Sequence, residues 1–285
     1  MENFKIKLLG NIPVEQVHQA FVEAFSDYEV PIQMPFEKFT EMMKTRDLNL
    51  NYSLGCFVGS RLVGFILCGF RESDNLKVCY DGGTGVIKEF RRKGIGEQLL
   101  KNLLELLKEK QISRFILEVL ENNEPAIALY EKYGFRITRK LECFEVETNS
   151  AYFGKTGNFI LNSGLSEYYK LNNSEFELYK PSWQNSISSI KNNIENYTFL
   201  SIEKNYMVVC YGFVHKTRGD IPQIGILKEW RNRGLEEQLI GSLALFTGSE
   251  KITILNVEEN NYLGELLRKT GFKNFVNQWE MSLEL

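Results

Sequence analysis

Arg91-Arg92-Lys93-Gly94-Ile95-Gly96 is the segment of this chain whose residue types and spacing point most directly to chemistry. Three cations precede two glycines where an apolar, helix-periodic stretch begins. The first N–H groups of a helix have no internal partner and point outward. The helix dipole adds roughly half a positive charge at the same place. Glycine lets an oxyanion reach the backbone without meeting a Cβ, so such a turn can cradle phosphate. A plain packing role for Gly94 and Gly96 is the competing reading. A Walker loop needs GxxxxGK[ST], which does not occur. A dinucleotide turn needs GxGxxG, whose third glycine would fall at Leu99.

The turn occurs twice. Gly85 to Leu100 reads GVIKEFRRKGIGEQLL, and Gly225 to Ile240, 140 positions later, reads GILKEWRNRGLEEQLI. Eight of these sixteen positions are identical and six are close exchanges. The two larger differences are Asn232 where the first copy has Arg92, and Glu236 where it has Gly96. One removes a charge that attracts phosphate. The other brings a side chain and a negative charge to the place phosphate needs.

The elements that position the first turn follow from periodicity. Lys5 to Leu9 reads as a strand. Pro13 to Phe25 reads as a helix with Val14, Val17, Ala20, Phe21 and Ala24 on one face, and Phe36 to Lys44 as a second helix. Gly55 to Gly59 and Leu62 to Phe70, joined by Ser60-Arg61, read as a hairpin. Lys77 to Ile87 is a strand with Gly82, Gly83 and Gly85 inside it, which implies a bulge or a close approach by another group. Gly94 to Lys110 is a helix whose broad apolar face holds Leu99, Leu100, Leu103, Leu104, Leu106 and Leu107. Arg114 to Leu120 is a strand. Glu124-Pro125 opens a helix that runs to Tyr133 and stops at Gly134. Phe135 to Glu147 returns as extended chain.

Asn149 to Asn173 is polar and weakly periodic, and a domain boundary is expected near its start, dividing residues 1–148 from 149–285. Beyond it, Asn185 to Asn193 reads as a helix next to Trp183, for which a packing role at the helix start outweighs one in a cleft. Tyr197 to Leu227 reads as strands, Ile252 to Val257 as a strand, and Tyr262 to Thr270 as a helix. Gly134-Phe135 and Gly271-Phe272 mark the same joint, as do Glu121-Asn122-Asn123 and Glu259-Asn260-Asn261. A period of about 140 residues means duplicated domains, since solenoid units are ~20–50 residues.

Length suits two domains: 285 residues, with 43% hydrophobic and 25% charged side chains. A net charge of −3 leaves no nucleic-acid footprint over the whole molecule. The five cysteines, Cys56, Cys68, Cys79, Cys143 and Cys210, are odd in number and mostly inside apolar runs, as expected for reduced thiols in the cytoplasm. With no CxxC pair and only His18 and His215, no metal site is expected. No run reaches the ~18 apolar residues of a membrane span, and no signal peptide is read at the start.

Arg91-Arg92-Lys93-Gly94-Ile95-Gly96 fits the R/Q-x-x-G-x-G/A pattern, and the sequence resembles the GNAT N-acetyltransferase superfamily over most of residues 1–147. Asn123-Glu124-Pro125-Ala126-Ile127-Ala128-Leu129-Tyr130-Glu131-Lys132-Tyr133-Gly134-Phe135 resembles its second signature, and the element order β-α-α-β-β-β-α-β-α-β agrees. Residues 149–285 resemble a second, degenerate copy. The whole is similar to tandem GNAT proteins such as mycothiol synthase, where the C-terminal copy is the active one; here the intact motifs are N-terminal.

The resemblance implies an α/β architecture of two tandem GNAT folds, each a mixed, mainly antiparallel sheet flanked by helices. It implies acetyl-CoA as co-substrate. Val86 and Ile87 would pair with the pantetheine arm. Arg91, Arg92, Lys93, Gly94, Ile95 and Gly96 would hold the pyrophosphate. Asn123, with Ala126, would face the lower arm near the thioester. Tyr130 would protonate the departing thiolate, a role that suits a phenol because its pKa lies near that of a thiol. Asp81 is the first candidate for the base that deprotonates the amine and Glu118 the second; a turn aspartate and a solvated strand glutamate are the respective packing readings. Asp27, Tyr28 and Gln33, between the first two helices, fall where substrate would be gripped, and their spacing names no ligand.

In the second copy the tyrosine's counterpart is Leu267 or Arg268, and neither is a phenol. The expectation is therefore one working acetyltransferase unit acting on a small-molecule amine, with no nucleic-acid or membrane partner. The alternative is a non-catalytic acyl-CoA-binding sensor or scaffold. The acceptor amine and the oligomeric state are not encoded in these motifs.

Overall fold

The computed structural model describes residues 3–27, 34–73, 76–148, 160–162, 168, 171 and 173–285. The chain forms two compact units, the first comprising Met1–Thr138 with Glu280–Leu285 and the second Arg139–Trp279. Tyr28, Gln33 and the expected boundary near Asn149 lie outside the described residues.

In the first unit, β1 (Phe4–Leu8), β2 (Leu54–Val58), β3 (Arg61–Ser73), β4 (Leu76–Val86) and β5 (Arg114–Leu120) lie side by side in that order. The first four are antiparallel neighbours, and β4 runs parallel to β5. The β2–β3 turn is Gly59-Ser60, one residue earlier than expected. Gly59 takes a φ of +60° there, and Arg61 already pairs with Val58. Next to β5 lies the end of a strand absent from the sequence reading, β12 (Lys273–Glu284). There the Leu285 N–H donates to the Ser113 carbonyl at 3.0 Å, and Arg114 pairs with Glu284.

Helices α1 (Val14–Ala24) and α2 (Phe36–Thr45) follow β1. Helix α1 buries Val17, Ala20, Phe21 and Ala24, while Val14 is half-buried. Helix α3 (Ile95–Glu109) buries Ile95, Leu99, Leu100, Leu103 and Leu107. Leu104 and Leu106 are only half-buried, so the core-facing stripe is narrower than the run of leucines suggests. Each fully buried leucine contributes about 1.5–3 kcal/mol relative to exposure. Helix α4 (Glu124–Lys132) ends as its glycine requires: Gly134 adopts a φ of +92°, and the Phe135 N–H reaches back to the Tyr130 carbonyl at 3.1 Å.

The second unit holds β6 (Arg136–Glu147) from residue 139 onward, then β7 (Ile160–Asn162), β8 (Tyr197–Lys204), β9 (Met207–His215), β10 (Ile224–Ile226) and β11 (Lys251–Glu258). Strands β10, β9, β8 and β7 form one antiparallel sheet, and β11 pairs antiparallel with β6. A parallel bridge joins Asp220 and Thr253. The helices are α5 (Asn173–Phe176), α6 (Ile187–Lys191), α7 (Leu235–Ala244) and α8 (Tyr262–Lys269). The helix expected over Asn185 to Asn193 is shorter. Trp183–Asn185 is a 3-10 turn, and the Ser186 hydroxyl accepts from the Ser189 N–H to start α6. Serine and asparagine side chains compete for backbone groups, which shortens helices rich in them. Trp183 is buried in this turn, and its carbonyl accepts from Ser189 Oγ at 2.7 Å. Phe144, Phe199, Phe213, Leu239, Leu243 and Leu267 lie in this unit's core. Gly271 repeats the Gly134 joint with the same φ of +92°.

All five cysteines are buried free thiols. Burial pushes the Cys68, Cys79 and Cys210 thiols above their ordinary range, which makes them inert. No helix among the described residues is long and apolar enough to cross a membrane.

Candidate active site

The first unit's turn is built from the end of β4. The Ile87 N–H donates to the Val63 carbonyl at 3.0 Å, and a 3-10 turn over Lys88–Phe90 redirects the chain. Arg92 takes a φ of 60° and Gly94, the N-cap of α3, a φ of 78°. Ile95 is buried and seats the helix start. Arg92, Lys93 and Gly94 are exposed. No side chain caps α3. A Cβ added at Gly94 would meet nothing within 4 Å, and one at Gly96 only Leu129 Cδ2 at 3.8 Å. Open space and uncapped helix amides beside two exposed cations suit a pyrophosphate. Glu97, in the first turn of α3, is already paired with Lys132 at 2.6 Å and with the Tyr133 hydroxyl at 3.1 Å. The hydrogen bond from Lys132 holds its carboxyl below the ordinary range.

Arg91 occupies a different place from the one its neighbours suggest. Its guanidinium makes a two-point pair with Asp27 at 2.7 and 2.9 Å, and donates to the Ala24 carbonyl at 2.8 Å and the Val86 carbonyl at 2.9 Å. It therefore ties the end of α1 to the end of β4 instead of pointing at the turn. Asp27, expected near the substrate, is the partner in this tie, and the hydrogen bond from Arg91 depresses its pKa.

Strands β4 and β5 pair from Val78/Arg114 to Asp81/Leu117 and no further. A bulge opposite Leu67 and Cys68 accompanies this separation, between Asp81 and Gly83. Gly82 is needed for packing, because a Cβ there would meet Leu48 Cδ2 at 2.3 Å. Asp81 sits where the strands part. Its carboxylate accepts from the Gly83 N–H at 2.9 Å, Thr84 Oγ1 at 2.6 Å and Tyr130 Oη at 3.2 Å. Both Asp81 and Tyr130 are about 7% exposed. Burial raises the Asp81 pKa, opposed by those three donors. The structure thus brings together the two residues singled out as acid and base.

Asn123 is the N-cap of α4, and its side chain accepts from the Ala126 N–H at 3.4 Å. On the face of β4 opposite Asp81, the buried Tyr80 hydroxyl donates to the Glu118 carboxylate. Burial, reinforced by Glu118, pushes the Tyr80 phenol well above its ordinary range. Sequence reasoning missed Tyr80. The signal was the alternation along the paired strands, which puts Tyr80 on the side of the sheet that Glu118 faces.

In the second unit the turn keeps its backbone: a 3-10 turn over Lys228–Trp230, Asn232 at φ 60° and Gly234 at φ 76°. Leu267, at the tyrosine's place, is fully buried, and the adjacent Arg268 pairs with Glu142.

The family model of the acetyltransferase (GNAT) family matches residues 14–135. The chain is 31% identical over 135 residues to an N-alpha-acetyltransferase of Saccharolobus solfataricus, an alignment covering 43% of this chain and 77% of that protein. It is 35% identical over 95 residues to a Bacillus subtilis subsp. natto protein described as "Probable spermine N(1)-acetyltransferase", covering 31% of this chain and 62% of that one. Among solved structures, a tandem GNAT protein from the clavulanic acid biosynthesis pathway aligns with a TM-score of 0.73 at 15% identity, covering 99% of this chain and 98% of the other. That likeness shows the fold: two tandem GNAT folds, each a mixed, mainly antiparallel sheet flanked by helices.

Proposed function

The chain belongs to the acetyltransferase (GNAT) family, and from that premise we propose that it is an N-acetyltransferase moving the acetyl group of acetyl-CoA to a primary amine of a small molecule. The observation that carries this reading is the Tyr130–Asp81 hydrogen bond of 3.2 Å, made where β4 and β5 part. Catalysis is assigned to the N-terminal copy, expected over residues 1–148, and the degenerate role to the copy expected over 149–285, although Arg139 to Thr148 pack with the second unit. Residues 280–285 return to complete the first unit.

In this reading the amides from Arg92 to Gly96, with the Arg92 and Lys93 side chains, hold the pyrophosphate, and Val86 meets the pantetheine arm; Ile87, expected beside it, instead spends its N–H on Val63 and its carbonyl on Phe90. Asn123 and Ala126 border its lower end through the α4 cap. Arg91 serves from behind by fixing α1 to β4. The amine nitrogen attacks the thioester carbon, the C–N bond forms, and the C–S bond breaks. Tyr130 gives its proton to the leaving sulfur. Asp81 takes the amine proton, directly or through water, and its raised pKa suits a base working near neutral pH. The bond between them then returns that proton to the phenolate, so the pair is reset after each turnover. Glu118 is held by Tyr80 on the opposite face of the sheet and has no part in this proton transfer. The buried Asp81 carboxylate agrees with amine acceptors such as those named for the spermine and N-alpha relatives.

The test is thiol release from acetyl-CoA in the presence of an amine panel that includes spermine, aminosugars and peptides with free N-termini. Release with one class identifies the acceptor. Tight acetyl-CoA binding without release from any class would instead support the sensor reading.

A further inference from the structure

We propose that the turn at Arg231–Glu236 is closed by an internal ligand: the Tyr262 phenol, backed by the Glu236 carboxylate, stands where a pyrophosphate stands in the first unit. The comparison rests on the reading of Arg92–Gly96 as a pyrophosphate cradle. The two turns have the same backbone, with φ of 60° at both Arg92 and Asn232 and 78° and 76° at Gly94 and Gly234. The second turn has therefore not collapsed. It is filled. Tyr262 Oη accepts from the Asn232 N–H at 2.9 Å and donates to Glu236. Asn261 and Asn123 both cap their helices, so Tyr262 holds the position of Glu124. The Arg231 guanidinium lies 5.9 Å from the Tyr262 ring centre.

Glu236 is fully buried, and its Oε2 has no hydrogen-bond partner among the described residues. A carboxylate so placed is stabilised by the start of α7, as an anionic ligand would be. The neighbouring channel is filled as well. Beyond Asp81/Leu117 the first unit's β4 and β5 are unpaired. In the second unit, past the Asp220–Thr253 bridge, the Trp183–Asn185 turn enters the corresponding gap. Asn185 Nδ2 donates to the Leu255 carbonyl at 2.6 Å, Gln223 Nε2 to the Asn185 carbonyl at 2.8 Å, and Asn256 Nδ2 to Ser182 Oγ at 3.0 Å. Groups of the chain itself thus occupy the Asn232 amide of the anion cradle and the strand edge that a pantetheine arm would use. The second unit is self-liganded, and its order does not depend on a cofactor.

Backbone amide NMR of the whole chain, titrated with inorganic pyrophosphate, tests this without acetyl-CoA or activity. In the unaltered protein the Arg92–Gly96 amides shift and the Asn232–Glu236 amides do not. In Tyr262→Phe/Glu236→Gly, the amides of residues 232–236 respond too. A response there in the unaltered protein, or none in a folded double variant, overturns the proposal. Tyr262→Phe alone removes one hydroxyl, and Asn232 amide exchange should accelerate at least tenfold; unchanged exchange overturns the internal-ligand role. If only the Arg92–Gly96 amides stay silent, the cofactor reading of the first unit fails, while the Asn232 readouts still decide the plug.

Discussion

Arg92 and Asn232 sit at the same φ of 60°, each just ahead of a left-handed glycine that opens a helix. Around Arg92 the turn is exposed, and a Cβ at Gly96 would have room. Around Asn232 the amide is taken by Tyr262, and Glu236 is fully buried. The difference teaches that the same backbone geometry can be left open or be occupied by the chain's own side chains. The strand–turn–helix is the same in both units, while in the second a tyrosine hydroxyl occupies the Asn232 amide. The corner beside the parted strands differs too, since Tyr130 donates to Asp81 in one unit and Leu267 is packed into the core in the other.

The strongest way to break this comparison is Gly96→Glu, which gives the first turn the second turn's residue. Acetyl-CoA affinity should fall by about 100-fold or more in calorimetry, because a carboxylate ~4 Å from pyrophosphate is repelled by several kcal/mol. The melting temperature should stay within about 2 °C, since only Leu129 lies near the new Cβ. Retained binding would mean that the two turns do not differ in the way described. Tyr130→Phe comes next: turnover should drop at least tenfold with acetyl-CoA affinity held within about twofold. Equal rates would remove Tyr130 from the chemistry and leave the units alike in that respect. Calorimetry on the unaltered chain should show one acetyl-CoA per chain, and two would erase the distinction.

The smallest effect concerns the tie behind the turn. Arg91 depresses the Asp27 pKa from its ordinary 3.8, so the pair stabilises the fold above that value and the benefit is lost as pH falls through the depressed one. Asp27→Asn should therefore melt below the unaltered protein at pH 7, and the gap should close under acidic conditions below pH 3.8. A gap that persists there would assign the difference to packing.

Much of this was legible because punctuation is local. Gly134 and Gly271 end helices at φ +92° where a C-terminal glycine predicts it, and Gly94 opens one. The direction of Arg91 was not legible. A cation beside a phosphate turn looks like a ligand until Asp27 and the Ala24 carbonyl, more than sixty residues away in sequence, are seen to hold it. The Tyr262 plug was hidden for a similar reason: a tyrosine at a helix start carries no pattern until its hydroxyl is found on the Asn232 amide. Strand β12 has a mixed burial pattern with no clean alternation, so periodicity alone gives it no face.

Residues 280–285 belong to the first unit although 141 residues of the second separate them from Thr138. During synthesis the edge of β5 therefore emerges long before the strand that covers it. At ~5–20 residues per second, the ribosome needs on the order of ten seconds to supply that cover. Through that interval the nascent first unit presents an unpaired edge, which is a template for pairing with other chains. Production of the first unit is thus timed by translation of the second, and a ribosome stalled anywhere in residues 139–279 leaves the first unit uncovered at β5.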